Sequence, residues 1–323
     1  MLFEEQVARK PDLYPRAHEF IDRIWAGFWT PNEFNFKGDY GQFKTQLSAE
    51  EQQIIVRTLS AIGQVEIAVK KFWADLGTNL PHPSISDLGY VMSNSEVIHN
   101  QAYEKLLDVL GISDVFADNL KVPVVRDRVQ YLRKHLNKVY GDDRKQYIYS
   151  IILFTLFVEN VSLFSQFYVV LWFNRFQNVL KDTAQQVQYT RNEEMLHAQV
   201  GIWLINTLRQ EYPELFDDEL VQRVQEETRA AFVAESDLID WMVGDYDHDG
   251  LNAETLKAYI QNRMNDSLSA IGFGSAFAPD PTLVSKTLWM DEELLGNNHT
   301  DFFHQRPVDY AKNNKAFGAE ELF

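Results

Sequence analysis

The stretch from Tyr147 to Phe173 is apolar enough to span a bilayer, yet Glu159 and Asn160 stand near its middle, with Ser162, Ser165 and Gln166 close behind. A lipid-facing helix rarely accepts a carboxylate at its centre, whereas the central helix of a bundle accepts one that has a partner. The run is therefore read as buried core, and no membrane association is expected. An ionised carboxylate in such a core needs a compensating charge, or it takes up a proton. The rest of the fold must therefore supply Glu159 with a partner.

Glycine and proline are scarce, 15 and 10 in 323 residues, which favours long helices over strands and turns. Helical periodicity predicts elements over Pro15–Gly27, Ser48–Leu76, Ser84–Leu110, Val122–Val139, Asp143–Leu180, Thr183–Gln210, Asp217–Val243 and Ala253–Ile271. Ser48 and Glu51 have the spacing of a capping box, Asn79 to Pro83 forms a break, and Pro213 marks a turn. From Ala278 the pattern fails, with Pro279 and Pro281 opening a polar run. The expected organisation is all-α, a helical bundle over 1–278 followed by an extended C-terminal arm over 279–323.

Two copies of Glu-x-x-His occur, Glu96-Val-Ile-His99 and Glu194-Met-Leu-His197. At helical spacing each pair aims a carboxylate and an imidazole at one point. A single copy more often marks a solvated helix face. Phase distinguishes these two. Glu96 and His99 share a stripe with Met92, Tyr103, Leu106 and Leu110, and Glu159 shares one with Ile152, Leu156, Leu163, Phe167 and Val170. Glu66 lies in line with Ile55, Leu59, Ile62, Val69 and Trp73, and Glu194 and His197 with Val187, Thr190, Gly201 and Leu204. Four helices thus turn an acid toward the core, and no lysine or arginine stands in these stripes. Two divalent cations balance four carboxylates, with two neutral imidazoles completing the shells. Carboxylate and imidazole donors without thiolates suit iron and manganese. The alternative is a set of buried acids hydrogen-bonded to Tyr, Asn and Gln.

Other function classes fall away on composition. A net charge of −17 repels nucleic acid. There is no cysteine, so disulfides, thiolate sites and thiol chemistry are excluded, and cytoplasmic residence is expected. The N-terminal MLFEEQVARKPDLYPR lacks the apolar core of a signal peptide. Asp245-Tyr-Asp-His-Asp-Gly250 opens like a calcium loop, but Leu256 occupies the twelfth position where a bidentate glutamate is needed. The histidines outside the two pairs, His82 among them, are expected at the surface or in loops.

With these residues in hand, the chain resembles the radical-generating small (beta) subunit of class I ribonucleotide reductase, a ferritin-like helical bundle. The resemblance covers most of the chain from Trp29 onward. That family takes its ligands in the order acid, Glu-x-x-His, Glu, Glu-x-x-His, which here implies Glu66, Glu96 with His99, Glu159, and Glu194 with His197. Its radical tyrosine follows the first histidine by four residues, where Tyr103 stands, and its Trp-x-Pro-x-Glu element matches Trp29-Thr-Pro-Asn-Glu33. Its tail docks on the large catalytic subunit. Here the tail contains Tyr310 and ends Gly-Ala-Glu-Glu-Leu-Phe323.

Two departures matter. Glu66 stands where many tyrosyl-radical members have Asp, and so resembles members that use manganese, alone or with iron. Glu193 replaces the usual Asp that links the tryptophan to the first histidine. The resemblance implies a homodimer in which oxygen, or a reduced oxygen species supplied through an activating flavoprotein, oxidises the centre. The oxidising equivalent is then stored on Tyr103 or on the metals and passes through His99, Glu193, Trp29 and Tyr310 to a cysteine of the large subunit, which reduces ribonucleotides. Tyr103 can alternatively be a core tyrosine hydrogen-bonded near the metals, and Trp29 a lid on the bundle. The rival functions are a stand-alone ferritin-like oxidase acting on a small apolar substrate, and iron storage.

Overall fold

The computed structural model describes residues 1–63, 66–128 and 144–292, with the side chains of 66–68 outside the description. Residues Met1–Thr287 form one compact unit and Leu288–Phe323 a second, of which 288–292 are described. Among the described residues there is no β-strand, only an isolated bridge between His248 and Leu251. Tyr310 and the rest of the expected docking tail lie outside the described residues.

Helix α1 (Arg16–Ala26) leads into a 3₁₀ turn at Pro31–Glu33, closed by a capping box between Thr30 and Glu33. Lys105 fastens this loop by donating to the carbonyls of Pro31 and Phe34, both at 2.7 Å. A helix absent from the sequence reading, α2 (Lys37–Thr45), follows; Gly38 and Gly41 obscure its pattern. The capping box at Ser48 is present, with the Glu51 carboxylate accepting from the Ser48 N–H at 2.8 Å. The single helix expected over Ser48–Leu76 is instead broken into α3 (Ala49–Ile62), α4 (Glu66–Ala74) and α5 (Leu76–Asn79). The first break falls at Gly63, a residue that costs about 1 kcal/mol relative to Ala inside a helix.

Helix α6 (Pro83–Leu110) starts with Pro83 at its first position and stops at the left-handed Gly111. After it come α7 (Ser113–Asn119) and the helical residues 123–128 (α8); the remainder of the expected Val122–Val139 helix lies outside the described residues. His82, expected at the surface or in a loop, lies in the loop ahead of α6 but is buried. Its ring nitrogens each lie 3.0 Å from an oxygen, one of Gln6 and the other of Met1.

Every residue of the apolar run from Tyr147 to Phe173 is buried except Asn160, which is half-buried. It is one helical path, but not a regular one: α9 (Arg144–Leu153) passes into a π-helix over Phe154–Ser162 and then into α10 (Phe164–Gln177). A π-helix disturbs the carbonyl ladder at its end, and two arginines take up the carbonyls there. Arg263 donates to the Asn160 carbonyl at 2.9 Å and to its side-chain oxygen at 2.7 Å. Arg128 donates to the Ser162 carbonyl and, at 3.1 Å, to that of Ala61, while its Nε pairs with buried Glu235 at 2.9 Å. One guanidinium therefore ties the end of the π-helix to the end of α3.

Helix α11 (Lys181–Glu211) is anchored at its start by Asp39, which accepts from the Thr183 N–H and hydroxyl, both at 2.6 Å. Asp217 and Asn252 cap α12 (Asp218–Val243) and α13 (Ala253–Ala270). A short α14 (Pro281–Ser285) occurs where an extended arm was expected; Asp280 caps it and Pro281 opens it.

Around the π-helix pack α9, α11 and α13, and α4 runs along α6. Two of these approaches need glycine. A Cβ on Gly201 of α11 would lie 2.1 Å from the Thr155 hydroxyl, and one on Gly89 of α6 would lie 2.5 Å from the Trp73 carbonyl. Gly201→Ala is expected to cost about 1–3 kcal/mol of stability through overpacking, seen as a lowered thermal midpoint. An unchanged midpoint would contradict this contact.

Candidate metal centre

Three of the four acid-bearing helices of the sequence reading bring their acids together. Glu96 on α6, Glu159 on the π-helix, and Glu194 and His197 on α11 each place a ligand atom within 4.8 Å of the others. All four are buried. Glu66 begins α4, but its side chain lies outside the described residues. Arg191 is also buried on α11, flanking the face that carries Glu194 and His197.

The cluster is crowded with acceptors that lack donors. His197 Nδ1 lies 3.0 Å from Glu96 Oε1, 3.4 Å from Glu159 Oε2 and 3.6 Å from Glu194 Oε2. None of these approaches has hydrogen-bond geometry, and Glu96 Oε1, Glu159 Oε2, Glu194 Oε1 and both His197 nitrogens are left without such a partner. Buried polar atoms are seldom left in this state. Protons or cations among them resolve the crowding, and the donor set suits hard or borderline divalent metals.

His99 shows the same preference. Its Nε2 lies 2.6 Å from Glu193 Oε2, so that nitrogen carries the proton and donates it to the carboxylate. Nδ1 then faces Glu96 Oε2 at 3.3 Å and Glu194 Oε1 at 3.2 Å. A neutral imidazole would point a lone pair at two acceptors there, which a cation between them relieves. A histidine whose second nitrogen is held by a carboxylate has the arrangement of a metal ligand.

Electrostatics agree. Burial, then the charge of Glu194, pushes Glu159 well above the usual carboxylate range. Burial also opposes ionisation of Glu194, but its contact to Glu159, then those to His197 and His99, hold it below that range. Burial and the charge of Glu194 oppose ionisation of Glu96, and contacts to His197 and His99 hold it below that range. Burial disfavours the charged form of His197, yet its contacts to Glu159, Glu194 and Glu96 raise it well above the usual imidazole range.

Beyond the cluster, Glu193 Oε2 also accepts from the indole N–H of Trp29 at 2.8 Å. The Trp29 and His99 rings lie nearly parallel, 6.0 Å apart. The expected order His99, Glu193, Trp29 is therefore a continuous hydrogen-bonded line, and the extra methylene of glutamate at 193 is accommodated. Tyr103 is buried, and its hydroxyl donates to Thr190 Oγ1 at 3.4 Å, one turn ahead of Glu194. Sequence reasoning missed the role of Trp73, whose indole N–H donates to Glu159 Oε1 at 2.7 Å. Its signal was present, since Trp73 falls in the Glu66 stripe, but there it reads as packing.

A helical bundle enclosing a buried Glu/His cluster defines a ferritin-like protein of the carboxylate type. The family described as ribonucleotide reductase, small chain, matches residues 8–282, and the chain belongs to that oxidoreductase family. A probable ribonucleoside-diphosphate reductase small subunit of Invertebrate iridescent virus 3 is 24% identical, over 96% of this chain and 86% of its own. The structure of a putative class I ribonucleotide reductase from Bacillus halodurans superposes with a TM-score of 0.79 at 23% identity, covering 86% of this chain and 99% of that one. An R2-like ligand-binding oxidase with a reconstituted Mn/Fe cofactor superposes at 0.70 and 16% identity, covering 83% and 96%.

Because Glu159 and His197 hold protons more tightly than free groups do, cations entering the cluster must displace them. Manganese(II) binding is expected to release protons into a weakly buffered indicator solution and to weaken as pH falls. Binding without proton release would contradict this electrostatic description.

Proposed function

We propose that this chain is the radical-generating small subunit of a class I ribonucleoside-diphosphate reductase. Two metal ions would be held by Glu66, Glu96, His99, Glu159, Glu194 and His197. The observation that carries the reading is the convergence of buried, donor-starved carboxylate and imidazole atoms in a chain matching the small-chain family over residues 8–282. When bound, the metals supply one-electron oxidising power generated with oxygen or a reduced oxygen species.

The chain's own residues direct that power. Glu193 fixes the orientation of His99 by accepting at Nε2, so that Nδ1 faces the centre. The same oxygen accepts from Trp29, giving electron and proton transfer one hydrogen-bonded route between the cluster and Trp29. Burial of Trp29, His99 and Tyr103 keeps water away from oxidised side chains. Tyr103 is positioned to store the oxidising equivalent, its hydroxyl held by Thr190. Tyr310 would continue the route toward the large catalytic subunit, docked through the C-terminal tail of a homodimer. Glu66 as first ligand favours manganese, alone or paired with iron, activated through a flavoprotein, and the enzyme would work in the cytoplasm. The family match favours this reading over a stand-alone oxidase, which would act without a partner.

A chain lacking residues 293–323 is expected to keep its metals but lose reduction of ribonucleoside diphosphates in the presence of the large subunit. Activity unaffected by the truncation, or independent of any partner, would contradict the proposal. EPR of the oxidised protein assigns the stored equivalent: a tyrosyl doublet lost in Tyr103→Phe places it on Tyr103, and a manganese multiplet that survives places it on the metals.

A further inference from the structure

We propose that Trp73 is a positioning residue for Glu159, engaging one lone pair of Oε1 so that Oε2 is the oxygen favoured for a metal. The inference rests on the reading of Glu159 as a ligand and concerns how that ligand is presented. Both side chains are fully buried, and the indole N–H donates to Oε1 at 2.7 Å. Oε2 has no hydrogen-bond partner and lies 3.4 Å from His197 Nδ1, on the side where the cluster converges. An indole has a single donor, and its bond to Glu159 becomes charge-assisted, and so stronger, once a metal displaces the Glu159 proton. A carboxylate with both oxygens free can chelate one ion or bridge two; with one lone pair of Oε1 taken by the indole, Glu159 would favour binding through Oε2.

The indole is itself held. Phe72 and Phe154 both meet the Trp73 ring edge-on at 5.3 Å, and those two phenyl rings stack on each other at 3.6 Å. Phe154 opens the π-helix that carries Glu159, so the clamp and its target share one aromatic cluster. Gly89 admits α6 against the Trp73 carbonyl, which fixes the backbone as well. Trp73 also stands two turns after Glu66 on α4, so one helix carries this acid and supplies the N–H that orients another.

The test compares the full-length protein with Trp73→Phe and with a benzothienyl analogue of tryptophan at position 73, which keeps the ring's shape and removes the N–H. Manganese(II) alone is the probe, with affinity read by calorimetric titration and the carboxylate mode by the splitting of the infrared stretches. Melting curves of the metal-free proteins verify folding. Both variants are expected to bind roughly 10–100-fold more weakly, as for loss of other partners that orient metal ligands. Both are also expected to lose the one-oxygen infrared signature of the unaltered protein. Unchanged affinity and spectrum in both variants would overturn the inference. So would a loss confined to Trp73→Phe, which would assign the effect to ring packing. Absence of manganese binding by the unaltered protein would remove Glu159's role as a ligand, and this inference with it.

Discussion

A carboxylate taken out of water costs several kcal/mol unless a counter-charge meets it, and here Glu96, Glu159 and Glu194 are buried within one ligand-sized space. The two histidines among them cannot satisfy all the oxygens, since one nitrogen of His99 is already committed to Glu193. Everything else in the bundle follows from holding these groups together despite their repulsion. Long helices α6 and α11 each deliver an acid and an imidazole one turn apart. Glycines at 89 and 201 let neighbouring segments approach closely enough to enclose them.

The π-helix is the second consequence. It alters the rise and rotation of the central helix around Glu159, and its end would leave carbonyls bare in the core. Arg263 and Arg128 take them up, and Arg128 carries the constraint onward to the last turn of α3, just ahead of the helix that begins with Glu66. Buried Glu235 holds Arg128 in turn, so an ion pair outside the cluster supports both the π-helix that carries Glu159 and the last turn of α3. Removing either partner of such a pair costs more than the pair itself contributes, because the survivor stays buried and charged.

Much of this was legible in the sequence because it depends on local period. The two Glu-x-x-His pairs, the stripe that turned Glu159 inward and the Ser48 capping box are statements about i, i+3 and i+4 neighbours. The line from His99 through Glu193 to Trp29 was legible only through the family resemblance, and the geometry agrees with it. What stayed hidden is set by tertiary contact. The break at Gly63 overrides a continuous apolar stripe, and the π-helix is held by arginines distant in the chain. Trp73 looked like packing because its bond to Glu159 depends on the rotation of one indole, which no spacing rule encodes. The burial of His82 in its loop was hidden for the same reason, its two oxygen partners coming from the far N-terminus.

The central claim is that two divalent ions hold these carboxylates together. Anomalous diffraction at the manganese and iron edges, from crystals of metal-loaded protein, tests it most directly. The account predicts two peaks per chain enclosed by Glu66, Glu96, His99, Glu159, Glu194 and His197, with Glu96 and Glu194 each within bonding distance of a peak. A cluster free of anomalous density, its acids hydrogen-bonded only to one another and to histidine, would contradict it.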